Sequence, residues 1–296
     1  MARLLRRIRL TLEMIKFEHS VFALPFAGAG ALLAVRDAGY NVAGLTYKLA
    51  WIVVAMVAAR SAAMAFNRLL DADIDARNPR TKMRHIPTGL LSKQFTWVFT
   101  GIAAFVFIFA ARMLNRTCFM LAPVALGVVF FYSFTKRFTT WSHIMLGLSL
   151  GIAPAAAWIA LRDSLDPRIV WLTVAVTLWT AGFDVIYSCQ DYEFDVSAGL
   201  FSIPRRFGIR GALIISKLFH GGMLASLALV ALAFGLGPAA WAGIVIVAAL
   251  LIWEHSLVRP HDLSRVNAAF FNVNGYVSIL FFVSWGLDIL IFRGVR

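Results

Sequence analysis

Apolar residues run along this chain in blocks too long for strands and too uniformly greasy for one-sided helices. Such blocks lie near 18–35, 48–67, 94–111, 117–134, 142–161, 169–188, 212–234, 238–257 and 269–292. Each is roughly the 17–25 residues needed to cross a bilayer as a helix. The pattern therefore predicts nine transmembrane helices. The opening stretch "MARLLRRIRLTLEMIKFEH" reads differently, as a basic amphipathic segment over residues 1–17 that lies on the membrane surface. It lacks the apolar core and small-residue cleavage site of a secretory signal, so no cleavable signal peptide is expected.

Composition sharpens this picture. Of the 296 residues 60% are hydrophobic and 15% charged, and the mean hydropathy is +0.78, more apolar surface than a soluble domain of this length buries. The net charge of +13 raises the question of nucleic acid. The basic residues flank the spans, however, so a lipid bilayer and an anionic substrate are the expected partners, and no nucleic acid. With the N-terminus inside, nineteen of the 28 Lys and Arg fall in cytoplasmic segments. The positive-inside rule then predicts a multi-pass membrane protein with its N-terminus inside, its C-terminus outside and its acidic clusters at cytoplasmic helix ends. The two cysteines, Cys118 and Cys189, fall within spans and read as small buried hydrophobes. No histidine has a partner at metal spacing; His255 and His261 are expected to be satisfied by water or headgroups near a helix end.

Acid is scarce and concentrated. Of the 15 carboxylates, Asp71, Asp73, Asp75, Asp191, Glu193 and Asp195 fall within "NRLLDADID" and "YSCQDYEFD", 120 residues apart. Spacing by four puts Asn67, Asp71 and Asp75 on one helical face, and Tyr187, Asp191 and Asp195 on another. Asp73 and Glu193 fall off those faces. Mg2+ takes oxygen ligands and is usually held by one or two carboxylates together with substrate phosphates, so two facing ladders suggest a diphosphate held between metal ions. Carboxylates at the end of a membrane helix are usually functional.

Each ladder is followed by a basic, turn-rich loop: "DARNPRTKMRHIPTG" after the first, "SAGLFSIPRRFG" after the second. Positive-inside bias predicts the cations but not the Pro and Gly beside them. The doubling reads as an internal pseudo-repeat. Between the copies lies Tyr132-x3-Lys136; Lys136 either snorkels to headgroups or aims at phosphate. Arg60 lies seven residues before Asn67, two turns deeper on the same face, and a membrane-buried arginine calls for an anion or a carbonyl. Asp184 lies seven residues before Asp191 and either orients a substrate or makes a structural hydrogen bond. Tyr187 is open between wall and hydrogen-bond partner.

In order, Asn-x3-Asp-x3-Asp, a loop with Arg-Thr-x2-Arg-x2-Pro, an aromatic-x3-Lys and a second Asp-x3-Asp resemble the UbiA superfamily of intramembrane prenyltransferases, over about residues 16 to 210. The resemblance implies an all-α integral membrane fold with nine transmembrane helices around a central cavity under cytoplasmic cap loops, as one domain over 1–296. It implies Mg2+ as cofactor, held by Asn67, Asp71 and Asp75 and by Asp191 and Asp195, with Arg80, Arg84 and Lys136 on the diphosphate and with Asp71 and Asp191 central to catalysis. The partners it implies are polyprenyl diphosphate and an aromatic acid, with Arg60, Asp184 and Tyr187 toward the acid and Phe130, Phe131, Phe134, Trp158 and Trp179 as candidate walls.

The expected reaction is prenyl transfer to 4-hydroxybenzoate for respiratory quinone biosynthesis. The first span, "KFEHSVFALPFAG", departs from the usual quinone-branch entry and keeps a dihydroxynaphthoate of menaquinone biosynthesis as the alternative acceptor; Lys16 and His19 are open between bearing on that choice and marking the membrane interface. A transporter is the more distant alternative, since transporter carboxylates tend to sit near the midplane.

Overall fold

The computed structural model describes residues 2–16 and 20–291. Phe17, Glu18 and His19 lie outside that range, and with them the expectation for His19. Among the described residues the protein is helical throughout, apart from one isolated bridge between Arg259 and Asp262. The helices are α1 (Ala2–Met14), α2 (Ser20–Asp37), α3 (Leu45–Leu70), α4 (Ala72–Arg77), α5 (Lys93–Leu114), α6 (Arg116–Thr135), α7 (Ser142–Arg162), α8 (Pro167–Ser188), α9 (Tyr192–Ala198), α10 (Ile203–Ala233), α11 (Pro238–Ser256), α12 (Val266–Ala268) and α13 (Asn274–Ile291). A 3-10 turn, Cys189–Asp191, joins α8 to α9, and a π-turn, Ala269–Val273, joins α12 to α13.

Eight stretches among the described residues are long and apolar enough to cross a membrane. The ninth expected span coincides with α2, an 18-residue apolar helix. This is an all-α, multi-pass integral membrane protein. The spans differ from their expected limits mainly at the motif ends. The expected 169–188 is part of a 32-residue stretch, Pro167–Ala198, and 212–234 begins earlier, at Ile203. In the second case Ser202 caps α10 by accepting from Arg205 N, and Gly208 (φ 69°, ψ 166°) leaves the helical conformation, so that α10 is two helical runs joined at a kink. Large apolar side chains such as Phe105 and Leu218 are exposed. In a bilayer they face lipid, which solvates them as well as a protein interior does.

The chain divides into two compact units. The first comprises residues 1–20 and 46–134, the second 21–45 and 135–296. In the first, Met14 and Ile15 at the end of α1 pack with Ala65 and Leu69 of α3, Ala72 of α4, and Ile86 and Leu91 of the following loop. The outer ridge of α1, Leu5, Ile8 and Leu12, is exposed, at the i, i+3, i+7 spacing of one helical face.

The second unit is built on α8, which packs against both α7 and α10. Gly147 and Gly151 of α7 make the close α7–α8 crossing possible, because a Cβ at either would collide with Thr177. Its centre is aromatic. Trp179 meets Phe26 at 4.7 Å and Phe183 at 5.0 Å between ring centroids, and its Nε1 donates to Asn274 Oδ1 at 2.7 Å. Asn274 in turn donates to Glu254 Oε1 at 2.8 Å and to the carbonyls of Ala269 and Phe270 in the π-turn. That side chain satisfies the backbone groups a π-turn strands.

Candidate active site

The two acidic motifs share a backbone design that spacing alone does not disclose. The expectation for each was four-residue spacing on one helical face. Instead α3 stops at Leu70 and α4 starts at Ala72, with Asp71 between them at φ −92°, ψ 0°. In the second copy Asp191 stands at φ −98°, ψ 5° before α9. Each middle aspartate thus occupies the same bridge conformation, in which helices bend and many site residues sit.

The first ladder survives the bend, because Asp71 N still donates to Asn67 O at 3.0 Å and Asp75 N to Asp71 O at 2.7 Å. Each short helix leads into a loop, and each loop ends at a serine that caps the next helix. Ser92 accepts from Phe95 N at 3.1 Å and Ser202 from Arg205 N at 3.3 Å. The pseudo-repeat is therefore a repeat of backbone geometry: long helix, break at aspartate, short helix, loop, serine cap. Gly199 ends α9 with φ 73° and donates to Asp195 O, a left-handed cap that glycine adopts without penalty.

In the first unit Asp71 is 2% and Asp75 4% exposed. Arg84 Nη1 lies 2.7 Å from Asp75 Oδ1 and 2.8 Å from Oδ2. The loop that presents Arg84 is tied down at its start: Thr81 Oγ1 donates to Asp75 O at 3.1 Å, and Asn78 Oδ1 accepts from Arg80 N at 2.9 Å. Arg80 itself is exposed. Arg68, absent from the sequence-based expectations, acts electrostatically on both Asp71 and Asp75 while its Nε donates to Met14 O at 3.5 Å. Its signal was present in the sequence, since residue 68 precedes 71 and 75 by three and seven and so shares their face. Arg60 is half-buried on α3, and Asn67 is half-buried above it. Asp73, off the face, is exposed and pairs with Lys93 at 2.9 Å.

The second unit treats its acids differently. Asp195 is 9% exposed and is hydrogen-bonded by Ser202, with Lys136 and His143 near enough to act on it electrostatically. Lys136 is fixed by its backbone, whose carbonyl accepts from Phe201 N in the second loop at 2.8 Å. Arg205 Nη1 braces the same loop by donating to Leu200 O at 2.6 Å. Asp184 makes the structural hydrogen bond: His143 Nδ1 lies 2.7 Å from its Oδ2. His143 Nε2 accepts from Ile203 N at 3.3 Å, which places the ring proton on Nδ1. One buried histidine thereby links α7, α8 and the start of α10. No sequence spacing pointed to it, because its partners lie 41 and 60 residues away on other helices.

Tyr187 packs as a wall residue against Phe270, 4.3 Å between ring centroids. Among the candidate wall aromatics, Trp158 and Trp179 are fully buried core of the second unit, whereas Phe131 and Phe134 are exposed and Phe130 packs on Phe66. His255 meets His220, its Nε2 lying 3.0 Å from His220 Nδ1. Two imidazoles 35 residues apart meet because α10 and α11 pack together.

Among the described residues no group of three or more His, Cys, Asp and Glu gathers around a point. Each motif offers two carboxylates on neighbouring turns, and the first adds the Asn67 amide. This hard-oxygen set fits Mg2+, which needs only one or two carboxylates and completes its shell with water and phosphate.

A membrane-embedded helical fold carrying two carboxylate motifs of this kind defines a class, and the comparisons name it. Residues 23–284 match the UbiA prenyltransferase family, and the chain belongs to that family. It is 30% identical to a protein named 4-hydroxybenzoate octaprenyltransferase from Vibrio atlanticus, over 79% of this chain and 83% of that one. Among solved structures it is similar to an apo UbiA homolog from Aeropyrum pernix K1, with TM-score 0.82 and 32% identity over 92% of this chain and 98% of that one. It also shares the fold of a UbiA homolog from Archaeoglobus fulgidus bound to GPP and Mg2+, with TM-score 0.70 and 20% identity over 95% and 99% of the two chains.

Proposed function

We propose that this protein transfers a polyprenyl group from polyprenyl diphosphate to the ring of an aromatic acid, with 4-hydroxybenzoate as acceptor, in respiratory quinone biosynthesis at the cytoplasmic face of a bacterial inner membrane. The observation that carries the reading is the pair of aspartate breaks with matching dihedrals, each presenting two carboxylates beside basic residues. The Vibrio relative's name supports the acceptor, and the GPP and Mg2+ of the Archaeoglobus structure support the donor and the metal. One family model running through both units supports their acting as a single domain.

In this reading Asn67, Asp71 and Asp75 hold one Mg2+, and Asp191 and Asp195 another. The bound metal supplies Lewis-acid stabilisation of the departing diphosphate. Arg80, Arg84 and Lys136 donate hydrogen bonds to its oxygens, where negative charge grows as the carbon–oxygen bond breaks. Arg84 arrives preorganised by Asp75, so little ordering is left for the reactive step. Arg60 binds the acid's carboxylate. Asp191 orients the phenol, whose ring carbon ortho to the hydroxyl attacks the allylic cation, and helps take up the proton lost from that carbon. Tyr187 and Phe270 exclude water from the cation, and Asp184 acts through His143 to position the second loop.

The test is prenyl transfer by purified protein with Mg2+ and prenyl diphosphates of mixed length, offering 4-hydroxybenzoate and 1,4-dihydroxy-6-naphthoate together and identifying products by mass. A prenylated 4-hydroxybenzoate that disappears with EDTA is expected. Prenylation of the naphthoate alone would replace the acceptor, and no product with either, from folded protein that binds prenyl diphosphate, would sink the reading.

A further inference from the structure

Outside both acidic motifs the second unit holds a cavity of about 460 Å³ between α10 and the end of α11. Arg210, Leu213, Ile214 and Lys217 form one wall, at the i, i+3, i+4, i+7 spacing of a single helical face. His255 and Arg259 stand opposite.

Three cations converge here, and among the described residues none forms an ion pair with a carboxylate. The neighbouring acid, Asp262, accepts from Ser264 N at 3.0 Å and Ser264 Oγ at 2.7 Å, and acts on Arg259 and Arg265 electrostatically without an ion-pair contact. The backbones of Arg259 and Asp262 bond each other at 3.1 and 3.0 Å, which fixes where Arg259 departs from the loop. His255 is held by His220 at 3.0 Å, so that wall is rigid as well.

Positive-inside bias accounts for basic residues at a helix end, yet it spreads them toward water. It does not gather them around a cavity with an apolar floor. The surface continuing from the cavity is apolar and exposed, with Ile214 at 52%, Leu218 at 69% and Ile252 at 72%. Charge at the rim and grease beneath match an amphiphile whose head is anionic and whose tails run down the outside of α10 and α11.

We propose that this groove binds the phosphate headgroup of an anionic phospholipid. Three cations exceed the charge of one phosphodiester, so a diphosphatidyl lipid carrying two phosphates is the preferred occupant. The site stands on its own residues and does not depend on the prenyl-transfer reading.

The experiment is native mass spectrometry of the full chain released from detergent with diphosphatidylglycerol or phosphatidylcholine, repeated with inorganic diphosphate as competitor. Wild type is expected to retain diphosphatidylglycerol, and the triple variant Arg210→Ala, Lys217→Ala, Arg259→Ala to retain it about 100-fold more weakly. The variant Arg210→Lys, Lys217→Arg, Arg259→Lys, which keeps the charges, should stay within about threefold of wild type by the same reasoning. A control of equal charge elsewhere, Arg6→Ala, Arg7→Ala, Arg116→Ala, should lose little. The proposal is overturned if both alanine triples lose binding alike, if phosphatidylcholine is retained as well as diphosphatidylglycerol, or if inorganic diphosphate displaces the lipid at equal concentration.

Discussion

The two copies of the acidic motif are alike in backbone and unlike in charge. Both break at an aspartate with φ near −95° and both bury their final aspartate. Asp75 is answered by a guanidinium that reaches both carboxylate oxygens, with Arg68 close behind. Asp195 is answered by a neutral hydroxyl, with a lysine and a histidine near it. Backbone geometry places the carboxylates, and the loops decide how much of their charge is cancelled before a ligand arrives. Asp75 thus takes its direct hydrogen bonds from a full positive charge, whereas the direct partner of Asp195 is neutral.

The strongest test of the likeness is Asp71→Asn beside Asp191→Asn. Each should lower prenyl transfer about 100- to 1000-fold in kcat, the range seen when one preorganised electrostatic group is removed. If one variant kept wild-type turnover in a product assay, the copies would not be functional equivalents.

The difference between copies is sharpened by removing the partner of each buried aspartate. Arg84→Ala removes the direct cationic partner of Asp75 and should cost about 3 kcal/mol of stability. Ser202→Ala removes both the hydroxyl bond to Asp195 and the N-cap of α10 and should cost about 1.5 kcal/mol. Thermal unfolding in one detergent compares them, and equal costs would mean that the guanidinium is no more than a surface contact.

His143→Ala falls between, at about 2 kcal/mol, because it strands both Asp184 and the Ile203 amide. Its particular signature is a fall in activity that His143→Gln partly restores, since a side-chain amide can donate to Asp184. Restoration by neither Gln nor Asn would detach His143 from the positioning of the second loop.

The smallest effect concerns Asp166, away from both copies, whose carboxyl is held below the ordinary carboxylate range chiefly by its hydrogen bond from Arg168. A depressed folded value gives stability that is present above the unfolded value and is lost as pH falls through the folded one. Asp166→Asn should therefore narrow its stability gap to wild type only in the acid range below about pH 4. A gap that stayed constant down to pH 2 would show that the pair carries no linked stability.

Much of this was legible along the chain, because the relevant rules are local. Membrane spans follow from the length of apolar runs, and the ladders Asn67, Asp71, Asp75 and Asp191, Asp195 follow from four-residue spacing on a helix. Arg84 was legible as a loop cation nine residues beyond Asp75. Its direct pairing with that carboxylate was not, since a turn-rich loop has no fixed period from which to project a side chain.

Sequence by itself determined the helices, the doubling of the motif and the family. Tertiary structure alone decided the break at each middle aspartate, the His143 link from Asp184 to Ile203, the His220–His255 pair and the basic groove between α10 and α11. The division has a physical cause: hydrogen bonding and helical periodicity act over three or four residues, whereas these contacts join residues 35 to 60 positions apart, whose meeting depends on how whole helices pack.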